Sequence, residues 1–119
     1  MSNDEAKFAI CLYGGLDPNL TQESVSGDVR SFAGVDYSGR PHELSYPASL
    51  THQEIVGTLV AVTKNRILRL REEELRLLAA NLADTDAKRI RLRHSRLGVI
   101  SQRIVAEYSS MAMLMDAAL

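Results

Sequence analysis

Lys88-Arg89-Ile90-Arg91-Leu92-Arg93-His94-Ser95-Arg96 is the most unusual stretch of this chain, with five Lys or Arg side chains and a histidine in nine residues. If the stretch is helical, Arg89, Arg96 and Arg103 recur every seven residues and form one ridge. With Arg91 and Arg93 they make a candidate anion-binding set for phosphates of DNA or RNA, or for a nucleotide. The plainer alternative is a solvated charged flank, neutralised by Glu72, Glu73 and Glu74 of a neighbouring helix. The net charge of −1 favours the plainer reading, since nucleic-acid readers usually carry more positive charge. The nearest aromatic, Tyr108, also lies too far along to stack beside the run.

Other chemistry is thinner. His42, His52 and His94 are far apart in sequence and none has a second ligand at metal spacing. No metal or cofactor is therefore expected. Asp28, Asp36 and Glu43 would have to cluster on a hairpin to hold a divalent cation as in a nuclease, and turn and edge solubility explains them as well. Cys11, the one cysteine, sits in an apolar run with no nearby base, which suits an inert core thiol. A single cysteine also excludes a disulfide framework within the chain. Gly14-Gly15 lacks the spacing of either glycine-rich phosphate fingerprint and reads as a tight turn. No serine lies in a Gly-x-Ser-x-Gly elbow. Nothing assembles a nucleophile, a base and an oxyanion donor, so the chain is expected not to be an enzyme.

The elements that carry these residues are clearer. Lys7–Tyr13 is continuously apolar after Lys7 and reads as a strand covered on both faces, after a frayed tail over 1–6. Asp17-Pro18-Asn19 suits a turn or a one-turn helix with Asp17 capping. From Val25 to Tyr37 the odd positions tend to be apolar, with Phe32 as the exception. This predicts a strand near 28–37, bulged at Gly34. Ser38-Gly39 makes a hairpin turn, and Pro41 and Pro47 confine a strand near 40–46 to the edge.

Thr51-His52-Gln53-Glu54 is a capping box, with Leu50 and Ile55 placed as a hydrophobic staple. From there to Ala83 there is no proline and one glycine, so a helix is expected over 51–83. Asp84-Thr85-Asp86 breaks and recaps the chain, and a second helix is expected over 86–118. Ile90, Leu97, Ile104, Met111 and Ala118 recur every seven residues, with Ile100, Tyr108, Leu114 and Met115 around them. That pattern is the seam of two helices packed at a shallow angle. The first helix has a matching stripe: Val56, Leu59, Val60, Thr63, Ile67, Leu70, Leu77 and Leu78. With the turn at Asp84-Thr85, residues whose numbers sum to about 169 face each other, which places Glu74 near Arg93 and Arg96.

The first helix also carries a second stripe, Leu68, Leu75 and Leu82, roughly 100° around its cylinder. A helix of this length is roughly 50 Å long, against a diameter of about 35 Å for a compact chain of this size. The second stripe must therefore meet the sheet or another chain. It is taken as an oligomer interface, since a large exposed apolar patch marks an interaction site.

At 119 residues the chain is read as one domain, with 45% hydrophobic and 24% charged residues, which excludes wholesale disorder. Its apolar runs are too short to span a membrane and its start is not a signal peptide, so a cytoplasmic place is expected, the host cytoplasm if viral. Residues 1–50 hold three basic and seven acidic residues; residues 51–119 hold eleven and eight. The fold class expected is α+β: a small antiparallel β-layer over 7–47, then a long antiparallel helical hairpin over 51–118. The function expected is a non-enzymatic, self-associating binding module. It would serve as adaptor, inhibitor or accessory protein on a protein partner or assembly, of the plain small kind that phages encode. The runner-up is an oligomeric binder of nucleic acid or a nucleotide through the arginine ridge.

Overall fold

The computed structural model describes residues 3–118. The elements in order are α1 (Asn3–Tyr13), a single 3-10 turn (Pro18–Leu20), β1 (Gln22–Ser26), β2 (Val29–Val35), β3 (Pro41–Pro47), α2 (His52–Ala83) and α3 (Ala87–Ala118). The fold is α+β, a three-stranded antiparallel sheet followed by two long helices. The chain divides into two compact units, residues 1–60 with 112–119, and residues 61–111.

The first unit corrects the opening of the chain. The apolar run over 7–13 is helix, not strand, and residues 3–6 belong to the same helix rather than to a frayed tail; residues 1–2 lie outside the described residues. A short apolar run does not by itself distinguish a buried strand from a buried helix. What decides is the spacing of the buried positions: Ala6, Ala9 and Ile10 share one helical face. Asp4 and Glu5 in the first turn suit the positive end of the helix dipole. The helix stops in a Schellman motif: the Leu16 amide donates to the Cys11 carbonyl at 2.8 Å and the Gly15 amide to Leu12 at 3.1 Å. Gly15 supplies the φ of +82° that this cap requires.

The sheet order is β1-β2-β3, so β3 is an edge strand, as its two prolines require. The sequence gives no warning of β1, a run of Gln, Glu, Ser and Val with little apolar signal. The phase of β2 is the reverse of the expected one. Phe32 is fully buried, whereas Val25, Val29 and Tyr37 are exposed. Register places Glu23, Phe32 and Leu44 side by side across the three strands. Phe32 outweighs its smaller neighbours because an aromatic ring buries far more area than a valine, and it meets Tyr46 edge-on at 6.1 Å.

The core of this unit joins Ala6, Ala9 and Ile10 of α1, Leu16, Phe32, Ile55 and Val56 of early α2, and Leu114 of late α3. The capping box at the start of α2 is present in both directions: Glu54 N–H donates to Thr51 Oγ1, and Thr51 N–H to Glu54 Oε1, each at 3.1 Å. Leu50 and Ile55 both join the core, as a staple requires.

The second unit is the hairpin proper. Asp86 caps α3 by accepting from the Lys88 and Arg89 amides at 3.0 Å. Thr63 and Ile67 of α2 are buried, with Ile100 and Ile104 of α3. The least exposed positions continue at alternating three- and four-residue steps: Leu70, Glu74 and Leu77 on α2, and Ile90, Arg93 and Leu97 on α3. This is the spacing of a two-stranded antiparallel coiled coil. Leu78, expected in the seam, is instead 45% exposed, and Tyr108 is also exposed.

Candidate functional site

The hairpin unit presents two unlike sides, one on each flank of its seam. On a coiled-coil helix, residues seven apart lie on one line. Gly98 therefore shares a line with Arg91 and Val105, and Leu75 shares one with Leu68 and Leu82. A groove between the helices is lined by Glu74, Leu78, His94, Leu97, Gly98 and Ser101. Leu78 lies three residues from Leu75 and four from Leu82, so the three leucines flank this groove.

Leu68, Leu75 and Leu82 are 53%, 65% and 90% exposed, and Val105 on α3 is also exposed. A Cβ added at Gly98 would meet nothing within 4 Å. Among the described residues, Lys64, Arg71, Arg91 and the seam residue Glu74 bring charge to this side, and Glu74 holds Arg71 at 3.2 Å. Glu74 first, and then Tyr108 of α3, favour the charged form of Arg71.

The other side carries Arg66, Arg69 and Arg76 on α2 and Arg89, Arg96 and Arg103 on α3. Arg96 Nε donates to Glu73 Oε1 at 2.9 Å, a pair whose numbers fit the expected register. Arg93 reaches Asp84 Oδ2 at 2.7 Å and Asn81 Oδ1 at 3.4 Å, and Arg89 bonds the same carboxylate. The expected pairing of Glu74 with Arg93 and Arg96 is therefore corrected. Glu74 is taken by Arg71 one turn earlier on its own helix. Arg93 is taken by a carboxylate already fixed in place by the Asp86 amide at 3.0 Å. That amide, then Arg93 and Arg89, hold the Asp84 carboxyl far below the usual carboxylate range. Arg96, followed by more distant arginines, lowers Glu73.

Of the five arginines expected to form one anion-binding set, the structure brings Arg89 and Arg93 together at Asp84 and gives Arg96 to Glu73. Arg91 lies on the line of Gly98, on the leucine side. Arg103 meets arginines of the other helix: with Arg66, Arg69, Leu70 and Glu107 it lines a groove of about 160 Å3. The sequence signal for this grouping was available, since Arg66 and Arg69 lie three apart on α2, but only the pairing of the helices places Arg103 against them.

In the sheet unit, Glu23 receives Arg30 Nη1 at 3.2 Å and His52 Nε2, linking β1 and β2 to the first turn of α2. Burial alone would raise the Glu23 carboxyl. The hydrogen bond and charge of His52, with the charge of Arg30, outweigh it and hold the carboxyl below its ordinary value. Phe32 packs edge-on against the His52 ring at 6.0 Å. Cys11 is fully buried in α1, and burial pushes its thiol up, away from the reactive thiolate form. Asp28 and Asp36 flank opposite ends of β2, and no group of three or more His, Cys, Asp or Glu among the described residues is placed to hold a metal ion. A cavity of about 420 Å3 between α1 and the last turns of α3 is lined by Phe8, Ala9, Leu12, Met113 and Ala117, with Asp4, Glu5 and Asp116 at it. Among the described residues, no helix is long and apolar enough to cross a membrane.

No protein-family model matches the chain, and neither a curated protein nor a solved structure matches it.

Proposed function

We propose that this chain is a non-enzymatic binding module that self-associates through the leucine side of its helical hairpin. Assembled in that way, it would act as an adaptor, inhibitor or accessory protein on a protein partner. The observation that carries the reading is the exposure of Leu68, Leu75, Leu78 and Leu82 along one flank, beside the open space at Gly98. Two helices bury one stripe each against one another; a second apolar stripe on the same helix calls for a further layer. A second copy fits because its own leucine ridge can enter the space beside Gly98 while its own Gly98 receives the first.

Magnitudes are consistent with moderate affinity. Full burial of a Leu side chain contributes about 1.5–3 kcal/mol. Covering what the four leucines still expose, on both copies, gives on the order of 10 kcal/mol. The cost of association is of the same order, roughly 4–15 kcal/mol. The net is at most about 6 kcal/mol, so assembly is expected at tens of micromolar or above and to come apart on dilution.

Light scattering coupled to size exclusion tests this directly. The expected mass is a multiple of 13.1 kDa, falling to a single chain in Leu75→Glu. A mass of one chain across the whole accessible concentration range would sink the proposal.

A further inference from the structure

Much of the dense arginine run on α3 is already neutralised. Asp84 is shared by Arg89 and Arg93, and Glu73 holds Arg96. The groove formed by Arg66, Arg69, Arg103 and Glu107 differs. Three guanidiniums and one carboxylate line it, and Glu73 lies near enough to Arg103 to interact with its charge. Arg66 is already held there, with Glu107 at 3.9 Å among its partners. Arg69 and Arg103 are exposed and make no ion pair among the described residues. Leu70 gives the groove an apolar floor, which lowers the local dielectric and strengthens any charge interaction above it.

We propose that this groove is a binding site for a phosphate-ester anion, held by Arg66 and Arg69 of α2 and Arg103 of α3. Each guanidinium presents a planar fork of donors that matches phosphate oxygens in pairs. Forks arriving from two helices approach an anion from two directions, so geometry as well as charge selects a tetrahedral oxyanion. Glu107 is the repulsive element at the site, and Arg66 screens it. The arrangement continues along the same flank. Arg76 lies seven residues beyond Arg69, a step of about 10.5 Å along the helix. A polymer of phosphates can therefore be met at more than one point, whereas a free phosphate would occupy the groove alone. The site is complete within one copy, so it does not depend on self-association.

The test uses the full chain and two probes: a fluorescein-labelled single-stranded oligothymidylate followed by anisotropy, and inorganic tripolyphosphate as competitor. Two double variants carry the same change in net charge, Arg69→Glu with Arg103→Glu and Arg40→Glu with Lys88→Glu. All four positions are exposed, and circular dichroism confirms that each variant folds. The groove reversal is expected to weaken binding at least tenfold, and the control reversal about twofold or less. The slope of log affinity against log salt should fall by about 1.4 for two lost contacts to a single strand. Arg69→Lys with Arg103→Lys should restore part of the affinity, since charge returns without the fork. Tight oligonucleotide binding that tripolyphosphate fails to displace supports an extended polyanion. Displacement at comparable phosphate concentration supports recognition of the phosphate group itself. No binding of either probe, or equal loss in the two double variants, overturns the proposal.

Discussion

The sheet unit and the hairpin unit spend their apolar residues differently. In the sheet unit, one cluster draws on α1, β2 and both long helices, and Phe32, Ile10, Leu16, Ile55, Val56 and Leu114 are all fully buried. In the hairpin unit only two rows meet, and Leu68, Leu75, Leu82, Leu92 and Val99 stay exposed. The difference is one of layers. A sheet and several helices surround a side chain from many directions, whereas a pair of helices covers only the facing stripe of each. Polar groups divide the same way. The Glu23–Arg30–His52 cluster locks strands to a helix, while the hairpin's ion pairs set register and leave Arg69 and Arg103 exposed on one flank. A unit closed on itself supports stability; a unit with surplus surface supports binding.

The largest expected effect is in the closed unit. Phe32→Ala removes the ring around which the sheet is phased and should cost about 3–5 kcal/mol, read by chemical denaturation. A loss below 1 kcal/mol would mean that the sheet is not the centre of that core. Leu75→Glu should do the opposite: monomer stability nearly unchanged, but self-association weakened on the order of a hundredfold because a carboxylate would be buried without a partner. If Leu75→Glu instead unfolds the chain, the hairpin is not the open unit described above.

Two glycines sharpen the contrast further. Gly57 and Gly98 both lie inside long helices with open space at the missing Cβ. Replacing either with alanine should stabilise its helix by roughly 0.5–1 kcal/mol. Only Gly98→Ala should also change self-association, because only Gly98 lies in the leucine groove. Equal association in the two variants would place the interface elsewhere.

The smallest effect is in acid. Glu23 and Asp84 both have folded-state carboxyls held below their ordinary values. Each therefore contributes stability that is fully present above the unfolded carboxyl range, near pH 4–4.5, and lost as pH falls through the folded value. Asp84 is held lower, so the Glu23 contribution should fade first. Chemical shifts followed down the pH scale should move at β1 before they move at the Asp84 turn; the reverse order would break this ranking.

Much of the fold could be read in the chain because some signals are local. Thr51 and Glu54 cap each other within four residues, and Asp86 caps α3 through its own neighbours. The turn at Ser38-Gly39 joins β2 to β3, and Gly39 adopts a φ of +80° there. The leucine stripe was equally legible, since a seven-residue repeat needs no partner to be seen. Three features were not. Helix α1 resembled a strand because an unbroken apolar run fits both. Strand β1 lacked an apolar signature, and it forms because β2 offers it a ladder. The phase of β2 was misread because valines outnumber the one phenylalanine, although burial follows the larger ring.

The amino-acid order alone determined where the long helices begin and end, which of their faces are apolar, and how much leucine exceeds what one seam can hide. Caps and periodicity act within a few residues, so no distant contact is needed to specify them. The tertiary structure decided which arginines are neutralised and which are left exposed. A guanidinium reaches several ångströms from its backbone, so its partner depends on which carboxylate the packed helices bring within that reach. Asp84 and Glu73 claim three arginines of the run, and Arg103 is left to face Arg66 and Arg69 across the seam.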